Sequence, residues 1–527
     1  MRVSKGAAPI VAAVLGCAAM SLTACGGGSS TAGPDAGQNG GGGDGGGGAA
    51  GQGNGTLTLA EVAVTPTWDS YKMDTGGYIQ PEQAAYDTLI RQNPDGSYKP
   101  GLASAYKYTD PSTFVMTIRD GIAFDDGTPL TADAVVQNIK RAKTVTGPKT
   151  SALADVKSVT ASGKDVTIKL SAPDPELPYY FSETLGMMIS PKALAHPESL
   201  TKTPSGVGPY TLDQTRTVIN SKYVFTRNPK FWDPSYTAGY KTMVFQVSSP
   251  SAILNGVVSG QYAGGAISYR EIGAAKAAGL KVLSQTSFFM GVWTRDLKGP
   301  FGNPLVRRAL NYAVDRKALQ PLIGGGMPTA TVFPPGTPAY NKAANDRYSY
   351  DPGKAKQLLA QAGYPNGISF TAVNTNYQFF DAYAQAVASQ MAKAGIKVKI
   401  KDVSSAAYGA ALFDSKIPVM FLYYNPTPGA FLDASTLFTR KGSFNFNHNA
   451  FPSIEALLKK AAAAPSAGEA GKLYQQLALE TAEQAPLGAV TNFGEAYYAY
   501  NPKLVANMRF TVFQVYPFIG GLRPPAS

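Results

Sequence analysis

Cysteine and histidine are almost absent from this sequence, since each occurs only twice in 527 residues. Zinc-binding folds built on several Cys or His ligands are therefore excluded, as are small secreted scaffolds held together by many disulfides. Any other metal site that needs several imidazoles or thiolates is excluded on the same ground. The sequence accordingly predicts no metal and no cofactor.

Charged residues are also scarce, at 16% of the chain, although Lys and Arg exceed Asp and Glu and give a formal net charge of +12. The basic residues are spread along the chain without a dense run, so nucleic-acid binding is not predicted. Hydrophobic residues make up 44% and aromatic residues 11%, which is enough for a large buried core. At roughly 150 residues per domain, the length predicts three to four structural units.

Catalytic motifs are missing as well. No Gly-Lys-Ser/Thr follows a glycine-rich stretch, and no Gly-x-Ser-x-Gly nucleophile motif is present. His196 precedes Pro197, and His448 lies in an Asn-rich segment, so neither has a serine and an acid nearby in a recognisable setting. The sequence therefore predicts a protein that is not an enzyme. A secreted hydrolase that depends on His196 or His448 is the alternative from another class.

The N-terminus has the zones of a bacterial export signal. Arg2 and Lys5 form a short basic region, residues 7–20 are apolar, and Leu-Thr-Ala-Cys-Gly follows at 22–26. This last sequence resembles the lipobox of bacterial lipoproteins, which implies removal of residues 1–24 and attachment of lipid to the Cys25 thiol. An ordinary secretory signal cut after Ala24 is the alternative. The expected location is the outer face of the cell membrane, where the lipid is the only membrane anchor.

A glycine-rich segment follows the predicted lipidation site. Residues 26–55 contain 16 glycines in 30 positions. Such a composition cannot bury enough apolar surface to offset the entropy of ordering. We predict that residues 25–55 comprise the lipidated cysteine and a disordered linker with a reach of roughly 30 Å.

The rest of the chain alternates between strand-like and helix-like patterns. Helices alternate with strands in the middle and strands prevail at both ends, which predicts an α/β unit beside a more β-rich one. Arg307, Arg308 and Arg316 accompany one helical pattern, where solvated or salt-bridged arginines are expected rather than an anion site. The clearest patterns are strands at 56–64, 114–119, 243–247, 396–403 and 505–514, a hairpin at 156–171, and helices at 131–139, 305–314, 351–363, 381–394, 453–463 and 469–484.

Six motifs follow one another along the chain: PGLA at 100–103, RDGIAFDDGTPLTADAV at 119–135, GVGPY at 206–210, RNPKFW at 227–232, VRRALNYAVDR at 306–316 and YDPGKAKQLLAQAGY at 350–364. In this order they resemble the bacterial extracellular solute-binding proteins of family 5, the oligopeptide-, dipeptide- and nickel-binding components of ABC importers. The resemblance covers residues 56–527.

The resemblance implies an α/β clamshell like that of type II periplasmic binding proteins of the large cluster C kind. Its two lobes would close on a solute, and the closed form would dock on the permease subunits of an importer whose ATPase is a separate chain. The binding protein itself would be a monomer. The implied boundaries are 56–294 with 486–527 for lobe I, about 90–203 for a subdomain inserted in lobe I, 295–485 for lobe II, and 288–294 with 487–493 for the hinge.

Aromatic residues supply most of the candidate ligand contacts that the resemblance implies. The family's cleft is lined by the loop after the first strand and by the segment that here spans 422–431, and aromatic rings offer a large contact area there. The candidate ligand-binding residues are Trp68, Tyr78, Tyr377, Phe379, Tyr423, Tyr424, Asn425, Phe444, Asn445 and Phe493.

One departure from the family concerns the ligand class. Peptide binders carry an Asp in a segment similar to Trp-x-x-Asp-Tyr-Pro-Asp-Pro, which receives the α-ammonium of the peptide. Residues 423–429 read Tyr-Tyr-Asn-Pro-Thr-Pro-Gly, with no carboxylate before Asp433. A peptide remains the first expectation, and an oligosaccharide, a metal chelate or another polar small molecule is the alternative. A signalling or adhesion lipoprotein that kept the fold but lost transport is a third hypothesis.

Overall fold

The computed structural model describes residues 55–63, 67–73, 79–147, 149–236, 239–375, 380–412, 414–511 and 516–526. Cys25, the predicted signal segment, the predicted linker up to residue 54, and the candidates Tyr78, Tyr377 and Phe379 lie outside these residues, so those predictions are not tested here.

The strands of the described residues belong to one large mixed sheet, a four-stranded sheet and a two-stranded hairpin. In chain order they are β1 Thr56–Glu61, β2 Ile90–Gln92, β3 Tyr98–Pro100, β4 Ala103–Asp110, β5 Thr113–Ile118, β6 Val156–Ser162, β7 Asp165–Leu170, β8 Tyr210–Leu212, β9 Lys222–Arg227, β10 Thr242–Val247, β11 Gly264–Ile267, β12 Lys281–Thr294, β13 Met327–Pro328, β14 Ile368–Thr375, β15 Ile396–Val403, β16 Val419–Tyr424 and β17 Gly488–Tyr500.

The helices are, in chain order, α1 Ile79–Ala85, α2 Ala132–Ala142, α3 Leu177–Tyr180, α4 Pro191–Ala195, α5 Pro250–Val258, α6 Ile272–Ala277, α7 Pro304–Tyr312, α8 Arg316–Leu319, α9 Lys342–Asn345, α10 Pro352–Gln361, α11 Phe380–Ala392, α12 Ser405–Leu412, α13 Ala430–Phe438, α14 Pro452–Ala462 and α15 Ala467–Gln484. Helices pack against the large sheet, as α7 does on β17 and α11 on β15, and α2 packs against the four-stranded sheet.

The first residues of α2 and α10 show why local sequence patterns predict these two helices. The Thr131 hydroxyl accepts a hydrogen bond from the Ala134 amide at 3.1 Å, and the Asp351 carboxylate accepts one from the Lys354 amide at 2.8 Å. Each side chain satisfies an amide that has no partner inside its own helix. Both helices therefore begin where the sequence predicts.

Two long antiparallel strands, β12 and β17, run through the middle of the large sheet, and we call them the crossing strands. The strand order is β15-β14-β16-β12-β17-β11-β1-β10-β9-β8, so the crossing strands separate one group of neighbours from the other. They pair from Lys281 opposite Tyr500 to Trp293 opposite Gly488, with register shifts between Thr286 and Phe288 and between Met290 and Gly291. Bulges of this kind bend and twist a strand locally.

The crossing strands also join separate hydrophobic cores. A first core contains residues from 57–263 and from 498–522, and a second region of two contiguous clusters contains residues from 289–493. The start of β12 and the end of β17 lie beside the first core, whereas the end of β12 and the start of β17 lie in the second. The lobe boundaries given above stay a prediction.

The strand expected at the C-terminal tail is wrong for its described part. Residues 505–511 form no strand beyond an isolated bridge between Ala506 and Arg523, and β17 at 488–500 is the last strand of the part of the chain that the structure describes. Alternating apolar residues in the tail instead fill the first core, where Val505, Met508 and Phe510 are buried. Burial on one side of an irregular segment produces the same sequence alternation as a strand.

The expectation for the arginines is also wrong for two of the three. Arg307 is 3% exposed and donates to the carbonyl oxygens of Phe301, Gly302, Gln484 and Ala485, close to the end of α15. Arg316 is 6% exposed and donates to backbone carbonyls that include Val490 of β17. Arg308 does pair with a carboxylate, that of Glu483. The buried guanidinium groups satisfy carbonyls that the sheet and helices leave unpaired.

Candidate functional site

The candidate site lies where strand β16 ends, beside the crossing strands. β16 pairs with β12 from Val419 opposite Thr294 to Tyr424 opposite Phe289. Residues 425–429 then connect β16 to α13, which begins at Ala430. This 425–429 loop therefore leaves the sheet at the point where β12 passes from the first core to the second.

Asp433 holds the 425–429 loop from the first turn of α13. Its carboxylate accepts hydrogen bonds from the Thr427 amide at 3.0 and 3.1 Å, from the Thr427 hydroxyl at 3.1 Å and from the Tyr424 hydroxyl at 3.1 Å. The side chain is 1% exposed, and this burial raises its pKa to about 8 although the hydrogen bonds oppose the shift. Asp433 thus fixes the shape of the 425–429 loop by accepting hydrogen bonds from the backbone amide of Thr427 in that loop.

Glu176 reaches the same loop from the first core. It directly precedes α3, and its carboxyl group lies against the start of α13, where a Cβ atom on Gly429 would be 2.2 Å from one of its oxygens and the backbone amides of Leu432 and Phe431 favour its ionised form. A carboxylate is favourable there because a helix N-terminus carries unpaired amides and positive dipole character. The side chain of Leu432 also packs against the first core. Glu176 and Leu432 therefore link the start of α13 to the other core.

The Glu176 carboxyl is unusually basic for a glutamate. Burial raises its pKa to about 8, the negative charges of Asp174 and Asp433 add to the rise, and the two amides of α13 oppose it. Asp174, two residues earlier, has a pKa of about 6, again mainly because it is buried. Three acidic side chains thus lie together where the two cores meet.

Tyr423 lies on the side of β16 that faces α11. Its half-buried ring meets Phe288 of β12 edge-on at 6.1 Å and Phe380 of α11 at 5.8 Å, measured between ring centroids. Phe380 follows the segment that contains the candidates Tyr377 and Phe379. Tyr423 therefore joins crossing strand β12 to the start of α11.

Tyr424 and Phe444 lie on the opposite side of β16. Their rings meet edge-on at 5.0 Å, and Phe444 also contacts Trp293 of β12 at 6.2 Å. Tyr424 is 7% exposed, while Phe444 is half-buried and packs against the second core. Their main role in this arrangement is to fill the space under the 425–429 loop.

Two further aromatic candidates are buried. Phe493 of β17 is 1% exposed and contacts Phe289 at 6.3 Å, so it belongs to the same neighbourhood as Tyr424. Trp68 is 3% exposed and lies between Tyr223 and Phe225, each at 5.9 Å, inside the first core. Whether either residue touches a ligand stays a prediction.

The two asparagine candidates differ in exposure. Asn445 is 5% exposed, and its side-chain amide donates to the carbonyls of Thr439 and Asn449, so it stabilises its own loop. Asn425 is exposed and donates to the Ser287 carbonyl of β12 at 2.8 Å. Asn425 therefore ties the 425–429 loop to a crossing strand while part of its side chain faces solvent.

Sequence reasoning missed Glu176. It lies far from the 425–429 loop in the chain, and nothing in its local pattern distinguishes it from an exposed acidic residue before a short helix. Asp433 was visible as the first carboxylate after residues 423–429, but its inward orientation was not. Only the tertiary approach of Glu176 to Gly429 and of Asp433 to Thr427 reveals that both carboxyl groups meet the loop.

The two histidines have local partners. The exposed His196 ring lies 3.5 Å from a carboxylate oxygen of Glu198, and the His448 ring lies 2.7 Å from the Arg440 carbonyl oxygen. Within the described ranges, no group of three or more His, Cys, Asp and Glu side chains could hold a metal ion. None of the helices described there is long and apolar enough to cross a bilayer.

Comparison of the sequence with known proteins finds a family match over most of the chain. The model described as bacterial extracellular solute-binding proteins, family 5 Middle, matches residues 97–446. The glutathione-binding protein GsiB of Escherichia coli O6:K15:H31 is 30% identical over 331 residues. That alignment covers 60% of this chain and 63% of the length of GsiB, so it spans less than two thirds of the relative.

Comparison with solved structures finds the same overall fold at low sequence identity. The clavulanic acid biosynthesis oligopeptide binding protein 2 superposes with a TM-score of 0.80 at 20% identity, covering 90% of this chain and 96% of that one. The binding protein AgaA from A. tumefaciens R10, solved with agropinic acid, gives a TM-score of 0.75 at 23% identity, covering 90% and 99%.

Proposed function

Because this chain belongs to the bacterial extracellular solute-binding proteins of family 5, we propose that it is the solute receptor of an ABC import system. It captures its solute between two lobes and delivers it to permease subunits. Its fold is the α/β clamshell of the type II periplasmic binding proteins, as the sequence resemblance implied.

The observation that carries this proposal is the contact of Glu176 with the start of α13. It joins the first core to the second through side-chain packing and not through the backbone of the crossing strands, and a contact of that kind can form when the cores approach and break when they separate. The crossing strands, with their two register shifts, are the connection about which such a motion would occur.

The mechanism is a shift between open and closed populations. A solute that touches both lobes stabilises the closed form only by its difference in affinity for the two forms. To move the equilibrium from 1:99 to 99:1 the solute must supply about 5.5 kcal/mol of differential binding. The permease then distinguishes the closed form from the open one.

A peptide is the solute class that the relatives favour. GsiB is named for glutathione, and the clavulanic acid protein is named as an oligopeptide binder. The 425–429 loop has no carboxylate of its own, the Asp433 carboxylate nearest to it accepts hydrogen bonds from the Thr427 amide, and Glu176 is buried against Gly429. We therefore propose a peptide whose amino terminus is not paired by this loop.

A non-peptide solute is the second candidate, and one observation favours it. AgaA has the same fold and was solved with agropinic acid. An oligosaccharide, a metal chelate or another polar small molecule would use the same closure. Hydrolysis receives no support from the partners of His196 and His448.

The site of action is the outer face of the cell membrane. We propose that Cys25 carries the lipid and that residues 25–55 act as a flexible tether between the membrane and the folded body. A monomer is proposed for the folded body.

Native mass spectrometry of the purified chain tests the function directly, since a captured solute would be carried along from the cell. Small-angle scattering and tryptophan fluorescence against peptide and sugar libraries then measure closure. We expect at least one solute to make the protein more compact. A chain that carries no solute and never becomes more compact with any of them is not a receptor of this kind.

A further inference from the structure

The last residue of strand β1, Glu61, is a buried acid without a partner. Its side chain has no exposed surface, and within the described part of the chain neither carboxylate oxygen has a hydrogen-bond partner. Leu57 and Leu59 lie on the same face of β1 and belong to the first core. Glu61 therefore points into apolar surroundings, where the ionised form of its carboxyl group is energetically unfavourable.

Other polar groups converge on Glu61. The Glu82 carboxyl, on α1 and 2% exposed, lies close enough to raise the pKa of Glu61 beyond the rise that burial causes. The hydroxyl of Tyr498 on β17 is wholly buried and also has no hydrogen-bond partner in the described residues. Burial and the charge of Glu61 raise the pKa of Tyr498. Tyr516 packs edge-on against Tyr498 at 6.3 Å.

Glu61 itself offers two acceptor oxygens, and among the described residues neither oxygen has a hydrogen-bond donor. The charged group that shifts the pKa of Glu61 is another acid, Glu82. A buried acceptor left without a donor destabilises the folded state, so such groups are normally paired. Guanidinium and ammonium groups supply several N–H donors and the missing positive charge.

The position of Glu61 in the sheet is a second argument for a role in solute binding. β1 runs parallel to both β10 and β11, and Glu61 lies opposite Val247, the last residue of β10. In open α/β sheets, ligands bind in the crevice outside the carboxyl ends of the parallel strands. Glu61 lies at that edge of the sheet.

We propose that Glu61, with Glu82 and the Tyr498 hydroxyl, binds a cationic group of the solute, either a guanidinium or an alkylammonium. This inference rests on the proposed function as a solute receptor and specifies its substrate class. It also gives the ligand a point of charge recognition distinct from the 425–429 loop.

Matched probes test the inference on the full chain. The tripeptide Gly-Arg-Gly carries a guanidinium, and Gly-citrulline-Gly has nearly the same shape without the charge. Binding of each is measured by calorimetry to the wild type, to Glu61→Gln and to the control Glu469→Gln, which removes an exposed carboxylate. We expect the arginine peptide to bind at least about tenfold more tightly than its neutral counterpart, and Glu61→Gln to abolish that preference. The control keeps it.

Proton release provides an independent readout. If a cation ionises a Glu61 carboxyl that is protonated in the free protein, the arginine peptide should release close to one proton near neutral pH. Calorimetry in two buffers of different ionisation enthalpy measures this number. Glu61→Gln is isosteric and uncharged, so its melting temperature should equal or exceed that of the wild type, which separates loss of recognition from loss of folding.

Several outcomes overturn the inference while leaving the receptor function intact. Three results would contradict the inference: equal binding of the two peptides, a preference that persists in Glu61→Gln, or binding of neutral library solutes with no response to either tripeptide. Each would mean that Glu61 and Glu82 share a proton and do not recognise the cationic group. If no solute of any class produces closure, the proposed function fails as well.

Discussion

The carboxylate of Glu176 lies directly over Gly429, the residue that precedes α13. A Cβ atom at position 429 would lie 2.2 Å from one carboxylate oxygen of Glu176 and 2.5 Å from its Cδ atom. The φ angle of Gly429 is −90°, which any residue can adopt, so the absence of a side chain serves the close approach and not the backbone conformation. The contact between the two cores therefore depends on one glycine.

Gly429→Ala should weaken the closed form without straining the backbone. The added methyl group must push the Glu176 carboxylate away from the amides of α13, so we expect a more extended protein by small-angle scattering. Solute affinity should fall by about tenfold, because closure then has to be driven further by the ligand. Gly471→Ala is the matched control, since a Cβ atom on Gly471 in α15 would meet nothing within 4 Å. Identical scattering from both variants would refute the role of the contact.

Stability should decrease with rising pH across the range in which Glu176 and Asp433 ionise. Both pKa values are about 8 in the folded protein, above the ordinary values of 4.5 and 3.8. The folded state then binds more protons than the unfolded state, so this stability is fully present below about pH 4 and is lost as the pH rises through about 8. Each group contributes at most about 1.4 kcal/mol per pH unit.

Denaturant titrations at several pH values between 5 and 8 measure this dependence. Glu176→Gln and Asp433→Asn should each flatten the curve, because an uncharged amide does not titrate. Glu198→Gln removes a carboxylate that is 76% exposed and should leave the slope unchanged. A wild-type curve that rises with pH would contradict the assignment.

The crossing strands contain a second crowded glycine, Gly494, which pairs with Phe288 next to a register shift. A Cβ atom on Gly494 would lie 2.1 Å from the Phe288 ring. Gly494→Ala should therefore displace the ring and alter both closure and the packing of Tyr423. Stopped-flow tryptophan fluorescence should show changed closing rates. If the clash with the Phe288 ring causes the changed closing rate, the double variant Phe288→Ala with Gly494→Ala should close at the same rate as Phe288→Ala alone.

Two adjacent arginines should differ greatly in their contribution to stability. Arg307→Ala leaves several buried carbonyl groups without donors and should cost about 3–5 kcal/mol of unfolding free energy. Arg308→Ala removes a partly exposed ion pair with Glu483 and should cost less than about 1 kcal/mol. Urea denaturation distinguishes the two, and equal losses would show that the buried hydrogen bonds of Arg307 are not important for folding.

Replacement of Cys25 should release the protein from the membrane. Cys25→Ser removes the thiol that would carry the lipid, so the chain should move from the membrane fraction to the soluble fraction. Metabolic labelling with a fatty-acid analogue provides the direct measurement. A variant that stays membrane-bound and labelled would point to another anchor.

Sequence patterns predicted elements whose cause is local. The helices predicted at 131–139 and 351–363 and the strand at 396–403 depend on residues a few positions apart, and the structure has them where expected. The order of the six motifs gave the family and, through it, the clamshell fold. The tail strand failed because alternation alone does not distinguish a strand from an irregular segment packed on one side.

The contacts that define the candidate site could not be predicted in this way. The pairing of β12 with β17, the burial of Arg307 and the approach of Glu176 to Gly429 each join segments that are distant in the chain. Hydrogen bonds of this kind depend on which surfaces the whole fold brings together, and the residues themselves carry no local signal of their partners. The amino-acid sequence by itself determined the family, the elements and the predicted export signal, whereas the tertiary structure alone decided which acids are buried and where the two cores touch.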